Sequence, residues 1–158
     1  MKDIITLIDT ICEAYDRMDF IPADGVTHCN EAVCMVADAM GCKDFELKMA
    51  DQIVSFVAQS QDWQEVHLSQ AQDLANQGSL CIAGLDSKAL NSDHGHVVVI
   101  RPGKVVYSGK WGPVPRCLNV GAEMFLARAK KGPLTGMSCG VNEAFQPLPK
   151  FYAWRPSL

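Results

Sequence analysis

Gly95-His96-Val97-Val98-Val99-Ile100-Arg101 is the stretch that decides the fold. Val97 to Ile100 are all β-branched, with restricted χ1 angles that suit a pleated strand better than a helix. Turn-forming residues bound the run, Asn91-Ser92-Asp93 before it and Pro102-Gly103 after it. It reads as a strand, with Pro102-Gly103 as a turn and Lys104 to Ser108 as its hairpin partner. Working outward, Ser79 to Leu85 (SLCIAGL) is a second apolar run between turn residues, hence a strand. Pro115 to Val120 reads as a further short strand and Lys150 to Trp154 as a last one. Gly121 to Lys131 reads as a helix stopped by Gly132-Pro133.

Toward the N-terminus the period changes to that of a helix. Ile4, Ile5, Ile8, Ile11, Cys12 and Tyr15 are spaced helically across residues 3–17. Asp19 to Val26, with Pro22 and Gly25, is a loop. Thr27 to Gly41 reads as a second helix with Ala32, Val33, Val36, Ala37 and Met40 on one face. A third is expected from about Phe45 to Gln59. A fourth covers Ser69 to Asn76, with Ser69 as N-cap and Gly78 as terminator. Helices first and strands later predict an α+β fold, with N-terminal helices packed on a mostly antiparallel sheet. Neither a repeat nor a linker divides the chain, so residues 1–158 are expected to form one domain.

Composition narrows the function classes. The 158 residues are 48% hydrophobic and 20% charged, with a formal net charge of -4. A chain of that size can bury a substantial core. No basic patch stands out, which argues against nucleic acid as a partner. No apolar run is long enough for a membrane helix. Asp3 and Asp9 interrupt the N-terminal segment, so no signal peptide is read there, and the chain is expected to be made in the cytoplasm. The seven cysteines are odd in number and include no C-x-x-C pair, which argues against a zinc ribbon or a thioredoxin-like site. Cys12, Cys34, Cys42 and Cys81 lie among apolar residues and read as small buried hydrophobes.

Three segments could carry chemistry. In Thr27-His28-Cys29-Asn30-Glu31-Ala32-Val33, Cys29 stands where a loop becomes a helix. Unpaired N–H groups and the helix dipole there favour a thiolate and can hold an oxyanion. The same position also suits a cysteine that merely packs. In Asp93-His94-Gly95-His96, His96 opens the strand and is the candidate general base, with His94 as its rival or as a group near substrate. In Pro115-Arg116-Cys117-Leu118-Asn119-Val120-Gly121, Asn119 could hold the second ring nitrogen of His96, as an asparagine does in Cys-His-Asn sites. It could equally be a turn or cap residue before Gly121. His28 is a neighbour or a wall of the site, Trp111 walls the cleft or simply packs, and His67 reads as a surface residue.

Together these motifs resemble the NlpC/P60 cysteine peptidases and the related CHAP amidases, a compact branch of the papain-like fold. The shared features are Cys29 with Val33 and Val36 behind it, Gly95-His96-Val97-Val98-Val99, and then Asn119. The similarity extends to the type VI secretion amidase effectors of the first family. There the matching stretches are Ser79 to Leu85, GHVVVI and Phe151-Tyr152-Ala153-Trp154. Asn30-Glu31-Ala32 departs from that group, as does Asn119, where a cysteine stands in a relative. Phage wall peptidases have a similar C-N-x-x-V start and P-R-x-x-N-x-G segment.

The resemblance implies a papain-like domain that cuts an amide in the peptide stem of bacterial peptidoglycan, between D-glutamate and diaminopimelate. Cys29 and His96 would be catalytic, with Asn119 third and His28, His94 and Trp111 near substrate. It implies no metal and no cofactor, action as a monomer in the periplasm or wall of a target cell after export by other machinery, and a cognate immunity protein. Two rivals stay open. One is an acyltransferase or deamidase on the same fold acting on protein or lipid. The other is a non-enzymatic protein in which Cys29, His28, His94 and His96 bind zinc or serve structure alone.

Overall fold

A computed structural model describes residues 3–7, 10, 29–120 and 138–156, without the side chains of 138 and 139. Four expected elements lie wholly or partly outside these residues: the first helix at 8–9 and beyond residue 10, the 19–26 loop, the second helix at 27–28 and the 121–131 helix.

The valine run forms β3 (His96–Ile100) at the middle of a six-stranded sheet of order β1-β8-β2-β3-β6-β7. The other strands are β1 (Trp63–Val66), β2 (Cys81–Leu85), β6 (Arg116–Leu118), β7 (Ser138–Gly140) and β8 (Lys150–Trp154). Every pairing among the described residues is antiparallel. In β3, Val97 faces Gly84 of β2, and Val99 faces Leu118 of β6. A separate hairpin joins β4 (Val106–Ser108) to β5 (Gly112–Val114).

Both faces of the sheet are covered. Val97, Val99, Ile82, Leu118 and Tyr152 form one apolar cluster with residues of α1 (Cys29–Ala39) and α2 (Ala50–Gln59). Val98, Ile100, Ala83, Cys117 and Phe151 form a second, covered by α3 (Leu68–Asn76), α5 (Val141–Ala144), Phe145 and the hairpin. This double cover is why β3 has no polar positions after His96: Val97 to Ile100 are each at most 1% exposed. Burying each such side chain contributes about 1.5–3 kcal/mol. The expectation of helices on a mostly antiparallel sheet holds, although β1 precedes α3 and the short α4 (Ser87–Leu90) and α5 interrupt the strands.

The expected pairing of residues 104–108 with β3 is not what forms. Both edges of β3 are taken, by β2 and β6, and Arg101 N–H continues the β6 pairing by donating to Arg116 O at 2.8 Å. The turn at Pro102-Gly103 is instead tied to α3. Gln72 Nε2 donates to Arg101 O at 2.9 Å, and Asn76 exchanges hydrogen bonds with Gly103 N–H (2.8 Å) and Gly103 O (3.2 Å). The third helix also starts later than its apolar pattern suggests, at Ala50. Leu47 adopts a left-handed φ of 59°, which breaks the helical path, and the Gln52 side chain caps Met49 N–H at 2.8 Å. His67 rather than Ser69 caps α3, its Nδ1 accepting from Ser69 N–H at 3.2 Å.

Candidate active site

His96 and Asn119 are brought together by register. β6 runs antiparallel to β3 with Leu118 opposite Val99, so the residue after Leu118 falls opposite Val98, diagonal to His96 and on its face. His96 Nε2 lies 2.7 Å from Asn119 Oδ1. An amide oxygen only accepts, so Nε2 carries the proton and Nδ1 presents its lone pair. The amide is 4% exposed, and the imidazole rests against the Phe145 ring with centroids 5.1 Å apart. Burial lowers the His96 pKa below 6.5, and the Asn119 hydrogen bond partly opposes that shift. Burial therefore favours the neutral ring, with the Nε2 proton on the Asn119 side.

Cys29 is the first described residue of α1 and is 3% exposed. A chain of contacts ties its end of α1 to the start of β3. Asn30 Nδ2 donates to Lys48 O at 3.2 Å, just before α2. Asp51, in the first turn of α2, accepts from Ser87 N–H at 2.8 Å and Ser87 Oγ at 2.6 Å. Asp51 also abuts Gly95, the residue before His96. The starts of α1, α2 and β3 thus share one end of the sheet. Cys29 belongs to the cluster of Val97 and Val99, whereas strand alternation gives His96 the opposite face, with Val98 and Phe145.

Trp111 is half-buried at the tip of the β4–β5 hairpin and packs on the second cluster, the side of the sheet that carries His96. Lys110 lies 5.2 Å from the Trp111 ring centroid and donates to Gln146 O at 3.4 Å, next to Phe145. His94 is exposed, two residues before β3, and His28 lies outside the described residues. Sequence reasoning missed Phe145 and Asp51. Phe145 carried no signal, but Gly95 directly before a candidate base was a visible hint that another group comes close there.

Burial pushes the Cys42 and Cys81 thiols up to about 12 and also raises Cys34, where Asp38 and Glu46 add to the effect. These three are poor nucleophiles near neutral pH. Cys12 lies outside the described residues. Among the described residues no three His, Cys, Asp or Glu side chains gather to hold a metal ion, and no helix is long and apolar enough to cross a membrane. No protein-family model matches the chain, and the search of curated proteins finds no significant match.

Proposed function

We propose that this protein is a cysteine amidase or endopeptidase with Cys29 as nucleophile, His96 as general base and Asn119 as the group that orients the base. The observation that carries the reading is the 2.7 Å hydrogen bond from His96 Nε2–H to Asn119 Oδ1, which leaves Nδ1 as the basic nitrogen. Cys29, the first described residue of α1 and tied through Asn30 and Lys48 to the segment before α2, adds to it.

In this reading His96 Nδ1 takes the thiol proton as sulfur attacks the amide carbonyl. N–H groups at the start of α1 stabilise the oxyanion. The imidazolium returns its proton to the leaving amine, and a thioester remains. Water then attacks the thioester with Nδ1 again as base, releasing a carboxylic acid and restoring the thiol. Asn119 accepts the Nε2–H bond in every state, so the ring does not turn during the cycle.

The substrate and setting come from the motif resemblance. They are the peptide stem of peptidoglycan, cut between D-glutamate and diaminopimelate, on an NlpC/P60-type papain-like scaffold. The protein would act in the wall of a target cell after export, as an antibacterial effector held in check by an immunity protein or as a phage lytic enzyme. The test is mass spectrometry of muropeptides after incubation of purified peptidoglycan with the protein and with Cys29→Ala. New amine and carboxylate ends at one stem bond, absent with the variant, are expected. An unchanged muropeptide profile would overturn the substrate assignment.

A further inference from the structure

Asp51 is joined to two strand ends at once. Both of its carboxylate oxygens accept hydrogen bonds from Ser87, Oδ1 from the backbone N–H at 2.8 Å and Oδ2 from the hydroxyl at 2.6 Å. Ser87 follows β2 by two residues, so this grip fixes the end of β2. Asp51 also stands directly against Gly95: a β-carbon there would overlap Asp51 Oδ1, and would lie 3.0 Å from Leu85 O and 3.3 Å from Asp51 N. Leu85 is the residue opposite His96. The connection from β2 to β3, residues 86–95, therefore begins and ends on the same carboxylate.

We propose that Asp51 is the positioning residue of the candidate site, setting where His96 stands by bracing Gly95 and clamping Ser87. The inference rests on the proposed catalytic role of His96. β2 pairs with β3 from His96 to Val99, but β6 pairs with it only at Val99 and Ile100, so His96 stands at an end held by a strand on one side alone. Asp51 supplies the support from α2, whose own start is fixed by the Gln52 cap on Met49. Gly95 makes the close approach possible, because any larger residue would drive Asp51 and β3 apart. A shift of the imidazole by about 1 Å is enough to cost on the order of a hundredfold in rate.

The support is geometric rather than a matter of charge. In Asp51→Asn the side-chain amide keeps an oxygen for the Ser87 N–H, and its NH2 can donate to the Ser87 hydroxyl. The test compares Asp51→Ala, Asp51→Asn, Ser87→Ala and Val57→Ala, the last a core truncation two turns along α2 that serves as a stability control. Two readouts are taken at matched folded fraction: kcat and KM, and the imidazole Nε2–H resonance of ¹⁵N-histidine-labelled protein, which reports the His96–Asn119 bond without turnover. Asp51→Ala is expected to lower kcat at least tenfold with KM within twofold and to broaden or shift the Nε2–H signal. Asp51→Asn should restore most of both, Ser87→Ala should fall between, and Val57→Ala should change neither. Gly95→Ala should cost more activity in the wild type than in the Asp51→Ala background, where the overlapping oxygen is gone. If Asp51→Ala matches Val57→Ala in kcat and leaves the Nε2–H signal in place, the proposal is wrong. Should the wild type hydrolyse nothing, the catalytic reading fails, and the resonance alone decides whether Asp51 positions His96.

Discussion

Asn119 Oδ1, one residue beyond β6, receives the Nε2–H of His96 at 2.7 Å, and the amide is 4% exposed. Replacing Asn119 tests whether that bond serves catalysis. Asn119→Ala should lower kcat roughly tenfold to a hundredfold, less than the ~10²–10⁴-fold expected for His96→Ala, because the base itself survives. Asn119→Leu should be as damaging or worse, since it leaves a ring N–H without an acceptor. Asn119→Asp should keep the acceptor and retain most activity. Equal kcat for wild type, alanine and leucine would remove Asn119 from the site.

Cys29 should differ from the other thiols in reactivity. Iodoacetamide near neutral pH is expected to label Cys29 ahead of Cys34, Cys42 and Cys81, whose thiols burial holds protonated. Cys29→Ala should abolish hydrolysis with little change in Tm. A short bifunctional bromoketone should bridge Cys29 to His96, a product read by peptide mass spectrometry. A bridge from Cys29 to any other residue in its place would place the base elsewhere.

The pH profile follows from the burial of His96. Its pKa is lowered from 6.5, so the neutral base persists to more acidic pH than for a free histidine, and the acid limb of kcat/KM should lie below 6.5. The Asn119 hydrogen bond works against the lowering, so Asn119→Leu should move the limb further toward acid. Stability follows the same sign. As pH falls through 6.5 the unfolded chain binds a proton that folded His96 still refuses, so folding stability contributed by this group declines until the folded pKa is reached. An acid limb above 6.5 would contradict the assignment of His96 as base.

Leu47 combines a φ of 59° with 97% exposure. Left-handed backbone costs a non-glycine residue about 1–2 kcal/mol, and glycine gives back about 0.4–1 kcal/mol through its freer unfolded chain. No buried contact is lost, so Leu47→Gly should stabilise the protein by about 0.5–1 kcal/mol in urea unfolding. A destabilised variant would mean that the Leu47 side chain has a partner.

Gln72 is a buried polar side chain at 2% exposure, bridging Arg101 O at 2.9 Å and Arg116 N–H at 2.8 Å. Gln72→Ala removes both hydrogen bonds and should cost about 1–3 kcal/mol. Gln72→Glu keeps the acceptor for Arg116 but sets a carboxylate against Arg101 O, and should also destabilise. A loss under about 0.5 kcal/mol for alanine, below the net worth of one hydrogen bond, would show that other groups satisfy Arg101 and Arg116.

The strands of the core sheet were readable where apolar runs met turn residues, as at Val97 to Ile100 and at Cys81 to Leu85. Lys150 to Trp154 was legible for the same reason, its alternation giving Phe151 and Tyr152 to opposite faces. The partner of β3 was not legible, because Pro102-Gly103 looks the same whether the following segment folds back or is drawn away by Gln72 and Asn76. β1 was hidden too: Trp63-Gln64-Glu65-Val66 is half polar without alternation and becomes a strand by pairing with β8. In the site, the pairing of His96 with Asn119 could be anticipated from residue types and neighbouring strands. The contributions of Phe145 and Asp51 depend on the path of the chain between elements, which no local pattern encodes.

β8 has a consequence for the order of assembly. It lies between β1 and β2, with Trp154 opposite Trp63 and Ala153 opposite Cys81, so the edges of both strands stay vacant until residues 150–154 arrive. Contacts of such long sequence separation close large loops before they return energy, which slows folding toward the millisecond-to-second range. A nascent chain halted before Lys150 would carry two unpaired strand edges, a template for association with other chains. For this molecule the interior of the sheet is completed by its last strand in chain order, and β1 and β2 wait on those five residues.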